Sequence, residues 1–203
     1  MDPAILGLIA ITDNVRDGES GLINRASAAA HGGATCIQLR LKDVSARDLV
    51  GLARALVPVV GVPVIINDRA DVAIAAGAAG VHLGADDIPV SAVRAIAPEG
   101  FIIGASVGSD DEIVDAAGAD YVGIGPVFPT GSKKDAGAAI GLVEFTRLAV
   151  ATGLPAVAIG GLTPANARLA IDAGASGVAV VAAVFGADDP LTAARALAAA
   201  IGN

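Results

Sequence analysis

Aromatic residues are scarce in this chain: one Tyr, four Phe and no Trp among 203 residues. Proteins that bind single-stranded nucleic acid stack bases on aromatic platforms along a basic groove, and this sequence supplies neither. The formal net charge is -8, and no Lys/Arg cluster is long enough to form a basic face. No nucleic-acid partner is expected. Long apolar runs are also missing. None approaches the roughly 20 residues of a membrane-spanning helix, so no membrane partner is expected. The opening MDPAILGLIAITDN carries no basic segment ahead of its apolar part and does not read as a signal peptide. The single cysteine, Cys36, excludes an internal disulfide framework and suits a cytoplasmic protein.

What is present is apolar bulk: 54% hydrophobic against 17% charged residues, enough for one well-buried domain over 1–203. Short β-branched runs alternate with helical segments along the whole chain. Strands are predicted at 5–11, 35–39, 64–66, 81–83, 101–104, 121–124, 156–159 and 177–181. The intervening helices are predicted at 22–31, 45–56, 71–76, 89–96, 111–117, 141–151 and 164–173, with a last one at 190–201. Ser45 fits a helix N-cap, and Ser109 with Glu112 fits a capping box. One phrase recurs as Ala76-Gly-Ala-Ala-Gly-Val81, Ala117-Gly-Ala-Asp-Tyr-Val122 and Ala173-Gly-Ala-Ser-Gly-Val178. Each copy reads as a helix end, a glycine stop and entry into a buried strand. Eight such βα units in a chain of this length predict a single-domain α/β TIM (β/α)8 barrel near the lower size limit of that fold. A doubly wound open sheet would need some strands demoted. Its usual nucleotide fingerprint is missing, since Gly123-Ile-Gly125 lacks the third glycine and does not open a helix.

Active sites of parallel barrels lie where the strands end. The residues at those ends form a mixed set: Gln38, Arg40 and Lys42; Asn67 and Asp68; Asp86 and Asp87; Ser106; Thr130, Ser132, Lys133 and Lys134; Gly160 and Gly161; Val181 and Ala182. The stretch Val64–Asp87 contains two strands that each finish in carboxylates. Asp68 and Asp87 suit Mg²⁺, which takes one or two carboxylates together with phosphate oxygens and waters. Taken alone, Asp68 also reads as a helix cap and Asp87 as a solvated loop acid. Gly160-Gly161 precedes a predicted helix start, where bare backbone N–H groups can cradle a phosphate. A plain turn fits the same pattern. With Arg40, Lys42 and Lys133 on the same rim, a metal–diphosphate site gains weight, because developing charge would be stabilised where it forms.

The chain resembles the thiamine phosphate synthase family. The phrases that carry the resemblance are Gln38-Leu-Arg-Leu-Lys42, Ile65-Ile-Asn-Asp-Arg69, Gly80-Val-His-Leu-Gly84 with Asp87, Gly104-Ala-Ser106, Asp120-Tyr-Val-Gly-Ile-Gly-Pro-Val-Phe-Pro-Thr130 with Ser132-Lys133-Lys-Asp135, Ala158-Ile-Gly-Gly161 and Gly177-Val-Ala-Val-Val-Ala182. They occur in family order over nearly the whole chain. The resemblance implies a transferase of thiamine biosynthesis. Diphosphate would leave a pyrimidine to give a stabilised cation, and the nitrogen of a thiazole phosphate would capture it. Gln38, Leu39, Arg40, Leu41, Lys42, Asn67, Ser106 and Lys133 would hold the pyrimidine diphosphate, with Arg40, Lys42, Ser106 and Lys133 as the catalytic set. Asp68 and Asp87 would bind Mg²⁺. Thr130, Gly131, Ser132, Gly161, Val181 and Ala182 would hold the thiazole phosphate, the last two through backbone. A homodimer is also implied.

The sequence departs from the family pattern at four places: Ala85 stands for Gln, Gly108 for His, Ser132 for the second Thr of a pair, and Ala182 for Ser. A sister group, the thiazole tautomerases, is similar too, but the acid/base histidine attributed to it is Gly108 here. A non-catalytic barrel that binds a phosphorylated metabolite is a third reading, and two carboxylates exceed what one phosphate requires. Among the remaining residues, His82 reads as a packed or hydrogen-bonded core residue, His31 as a partner of the last carbonyls of its helix, and Cys36 as a buried small residue. Arg69 reads as the partner of a carboxylate, on either rim of the barrel.

Overall fold

The computed structural model describes residues 1–13, 18–131 and 137–202. After a 3-10 turn at Pro3–Leu6, strands and helices alternate as far as β8, which two helices follow. They run β1 Leu8–Ile11, α1 Gly18–His31, β2 Cys36–Leu39, α2 Ala46–Leu56, β3 Val64–Asn67, α3 Ala70–Ala76, β4 Gly80–Leu83, α4 Val90–Ile96 and β5 Ile102–Val107. The chain continues through α5 Asp110–Asp115, β6 Tyr121–Ile124, α6 Gly141–Thr152, β7 Ala156–Ile159, α7 Ala167–Asp172 and β8 Gly177–Val180. The short α8 Ala182–Phe185 and the final α9 Pro190–Ile201 close it. Every neighbouring strand pair is parallel, and β8 pairs back onto β1 (Leu8 opposite Val178), so the sheet closes as an eight-stranded barrel. Among the described residues no helix is long and apolar enough to cross a membrane.

Side chains alternate across each strand. One set, including Ile9, Cys36, Ile65, Ile102, Tyr121, Val157 and Ala179, fills the barrel interior. The other, including Leu8, Ile37, Leu39, Val64, Ile66 and Val81, packs under the helices. The shortage of aromatics is met by close approach of small residues. At Gly32, at the end of α1, an added Cβ would lie 2.3 Å from the Leu191 carbonyl oxygen of α9. Cys36 is fully buried inside the barrel, and burial pushes its thiol up to about 12 against a weaker lowering by the Ile65 backbone. The thiolate is the reactive form. Iodoacetamide at pH 8 is therefore expected to leave native Cys36 unmodified and to label it after unfolding in denaturant. Labelling of the native chain at the rate of a free thiol would contradict this placement.

The recurring Gly-Ala phrase does one job each time. Gly77 caps α3 in the left-handed conformation (φ 68°), and Gly118 and Gly174 adopt the same region. Two residues on, the N–H groups of Ala79, Asp120 and Ser176 donate to the carbonyls of Val64, Ile103 and Ala156, which sets the register of the next strand. A fourth copy, Gly33-Ala34-Thr35, enters β2 in the same way, with Thr35 N–H donating to Leu8 O. All four even-numbered strands start on this phrase. β3 and β7 instead follow Pro63 and Pro155, whose carbonyls accept from Ile37 and Val122.

Several boundaries differ from the sequence reading. β1 starts at Leu8 because Pro3–Leu6 forms a 3-10 turn capped by the Asp2 side chain. β5 runs three residues further than predicted, to Val107, which puts Ser106 inside the strand. Ser45 caps α2 as expected, accepting from Asp48 N–H at 3.2 Å. Ser109 makes no capping bond; Glu112 reaches past it and accepts from Gly108 N–H. The helix predicted from Pro164 starts only at Ala167. Asn166 first closes a turn, accepting from Thr163 N–H and donating to Gly161 O. The four-residue α8 is too short to leave a periodic signature in the sequence.

Candidate functional site

The C-terminal ends of all eight strands open onto one cleft of about 1160 Å³, lined from Ile11 of β1 round to Val180 of β8. Alternation decides which residues of Gln38–Lys42 reach it. Gln38, Arg40 and Lys42 line the cleft. Leu39 is fully buried among the helices, and Leu41 packs against that same outer core, so neither side chain is part of the lining. Arg40 is held by a residue the sequence reading passed over. The buried Thr12, at the end of β1, donates its hydroxyl to Arg40 O (2.9 Å) and accepts from Arg40 N–H (2.8 Å). Its own N–H donates to Gln38 O. Thr12 thereby splices the Arg40 backbone onto β1 just beyond the last regular ladder pair.

Asn67, Asp68, Asp86 and Asp87 line the same cleft. Asp68 takes a left-handed backbone (φ 64°), with its N–H donating to His82 O at 2.8 Å, so the chain turns sharply at the end of β3. Asp and Asn tolerate that region better than most residues. The Asp87 carboxylate folds back and accepts from Gly84 N–H through Oδ2 (2.6 Å), which leaves Oδ1 as the oxygen to offer a cation. Among the described residues no group of three or more His, Cys, Asp or Glu is arranged to hold a metal. Two hard carboxylates in a cleft that Arg40 and Lys42 also line nonetheless suit Mg²⁺, which keeps its waters and completes its shell with substrate oxygens. Arg69 faces away from this set and forms a bidentate pair with Asp71 (2.8 and 2.6 Å), which draws the Asp71 carboxyl down. His31 interacts with Ser27 O (2.8 Å), as its place in the last turn of α1 predicts.

On the far side of the cleft stand Thr130, Gly131, Gly161, Val181 and Ala182. Ser132 and Lys133 lie outside the described residues. The segment Pro126–Pro129 runs alongside Gly160–Gly161, with Val127 N–H donating to Ile159 O and Phe128 N–H to Gly160 O. Both glycines are left-handed (φ 96° and 65°), and a Cβ on Gly161 would lie 2.5 Å from the Pro129 carbonyl oxygen. The helix predicted from Pro164 starts at Ala167, six residues after Gly161, so a helix dipole contributes little there. The first backbone N–H groups of α8, at Ala182 and Ala183, are instead the ones without intrahelical acceptors at the cleft edge.

Two further lining residues were not singled out for function in the sequence: His82 and Tyr121. In the sequence His82 reads as a packed or hydrogen-bonded core residue, and Tyr121 only as the first residue of the strand predicted at 121–124. The ring of His82 contacts the Tyr121 hydroxyl through Nδ1 (2.9 Å) and the Ser106 hydroxyl through Nε2 (3.1 Å). A signal was available, since His82 alternates with the buried Val81 and Leu83 and therefore must face the barrel interior.

The sequence profile of the thiamine monophosphate synthase family matches residues 8–184. A thiamine-phosphate synthase of Roseiflexus castenholzii is 51% identical over 192 residues, which cover 92% of this chain and 84% of the relative. One from Xanthobacter autotrophicus is 48% identical over 204 residues and 97% of its own length. Among solved structures, a thiamine phosphate pyrophosphorylase from Pyrococcus furiosus superposes with a TM-score of 0.87 at 38% identity, covering 98% of this chain and 97% of that one.

Proposed function

Since the chain belongs to the thiamine monophosphate synthase family, we propose that it joins a pyrimidine diphosphate to a thiazole phosphate, releasing diphosphate and forming thiamine phosphate. The observation that carries this reading is the composition of the one cleft. Cationic side chains, carboxylates that include Asp68 and Asp87, and two bare-backbone loops face a common space. Its volume of about 1160 Å³ exceeds the roughly 300–1,000 Å³ of a pocket for one drug-sized ligand. Room for two substrates is what a coupling reaction needs.

Arg40 and Lys42, with Lys133, bind the diphosphate and stabilise the charge that develops on it as the carbon–oxygen bond breaks. Asn67 and Ser106 orient the same substrate by hydrogen bonding. Thr130 and Gly131 face Gly161, Val181 and Ala182 across the second half of the cleft, where hydroxyls, that of Ser132 included, and backbone N–H groups take the thiazole phosphate. Its ring nitrogen is then held toward the carbon that the diphosphate leaves, so that it captures the cation formed there and the new carbon–nitrogen bond replaces the broken carbon–oxygen bond. Leu39 and Leu41 contribute through backbone alone. Asp68 and Asp87 would hold Mg²⁺, which neutralises diphosphate charge and improves it as a leaving group.

The test is product formation. With both substrates and Mg²⁺, the purified chain is expected to produce thiamine phosphate, identified by mass spectrometry, at a rate proportional to enzyme. No product with both substrates saturating would overturn the reading.

A further inference from the structure

The least expected feature of the barrel is a polar chain through its centre. Tyr121 is the only tyrosine and His82 one of two histidines in the sequence. Tyr121 is 1% exposed. The rings lie 5.5 Å apart, tilted by 39°. From β6 the phenol meets Nδ1 of His82 on β4, and Nε2 of His82 meets Ser106 Oγ on β5. Gln38 of β2 interacts with the same phenol. The chain therefore crosses four strands and ends on a residue of the cleft.

Two glycines make room for it. An added Cβ on Gly104 would lie 2.3 Å from Cζ of Tyr121, and one on Gly123 would lie 3.1 Å from Cε1 of His82. Barrel interiors are ordinarily filled by branched aliphatic side chains. Here two positions are reduced to hydrogen so that a tyrosine and a histidine fit side by side.

A neutral imidazole has one N–H and one lone pair, and what one nitrogen meets fixes the role of the other. Burial keeps the Tyr121 phenol protonated, with its pKa well above the ordinary value. A buried hydroxyl must place its proton. If it donates to Nδ1, then Nε2 carries the hydrogen and donates to Ser106 Oγ. The Ser106 proton is then left to point into the cleft, where an anionic substrate needs a donor. The reverse direction would turn the Ser106 proton inward and present only lone pairs to the anion.

We propose that Tyr121 and His82 are positioning residues that hold the Ser106 hydroxyl as a hydrogen-bond donor toward substrate, with His82 fixed as its Nε2–H tautomer. The effect on turnover rests on the synthase reading, whereas the tautomer does not.

Long-range ¹H–¹⁵N correlation spectra of the labelled chain read the tautomer directly. Only His31 and His82 contribute. His31 is the internal reference, since a ring nitrogen facing the Ser27 carbonyl must carry hydrogen on Nδ1. His82 is expected to show hydrogen on Nε2. Tyr121→Phe keeps the ring and removes the donor. It is expected to mix the His82 tautomers and to lower kcat about 10- to 100-fold, with KM for the pyrimidine diphosphate changed less than about threefold. His82→Gln, whose amide can donate to Ser106, is expected to retain more turnover than His82→Leu. Hydrogen on Nδ1 of His82 in the wild type overturns the proposal, as does wild-type kcat in a folded Tyr121→Phe. A wild-type chain that shows the Nε2–H tautomer but makes no thiamine phosphate would keep the tautomer assignment and overturn the synthase reading.

Discussion

Asp68→Asn is expected to lower Mg²⁺-dependent turnover on the order of 10²- to 10³-fold, the several kcal/mol that metal-assisted charge stabilisation supplies, without loss of fold. Asn tolerates the left-handed backbone that Asp68 adopts, and the N–H bond to His82 O is made by the main chain. Asp87→Asn is expected to behave alike, since an Asn carbonyl can still accept from Gly84 N–H where Oδ2 does now. Each variant removes one of the two charges proposed to hold Mg²⁺. Thermal unfolding of the metal-free variants should match the wild type, and their Mg²⁺ requirement should move to higher concentration. Near-normal turnover in both variants would refute the metal assignment.

Gly161→Ala is expected to act on both stability and one substrate. At φ 65°, with a new Cβ only 2.5 Å from the Pro129 carbonyl and 2.7 Å from Phe128 Cβ, the segment before Thr130 must move. Strain and overpacking of this kind cost about 1–3 kcal/mol, or roughly 2–12 °C in Tm for a chain of this size. The displaced loop is the one proposed to take the thiazole phosphate. KM for that substrate is therefore expected to rise about tenfold or more, with the KM for pyrimidine diphosphate changed far less. Equal effects on both would argue that the two substrates do not divide the cleft in this way.

The barrel was legible because its signal is repetitive. Each strand is a short apolar run, each even-numbered strand begins on the same Gly-Ala phrase, and the bounds of β6, β7 and α9 coincide with the sequence reading. What the sequence could not resolve lies where periodicity fails. A four-residue helix at Ala182 has no period, and the three residues Pro164, Ala165 and Asn166 form a turn ahead of α7. The rim residues were legible as an unordered set, because strand ends in a parallel barrel share one face. Leu39 and Leu41 came only with the family resemblance, and alternation could have removed their side chains from the substrate-holding residues. Three-dimensional relations were out of reach. Nothing in sequence says that Thr12 grips Arg40, or that Gly104 and Gly123 are small on behalf of Tyr121 and His82.

The central claim is that one cleft couples two phosphorylated substrates with the help of Asp68 and Asp87. Diphosphate release, measured with each substrate alone and with both together, in Mg²⁺ and in excess chelator, tests it most directly. The expected result is release equal to the thiamine phosphate formed, with both substrates present, and collapse of that release in chelator. No diphosphate under any condition would contradict the synthase reading, and undiminished release in chelator would contradict the role given to the two aspartates.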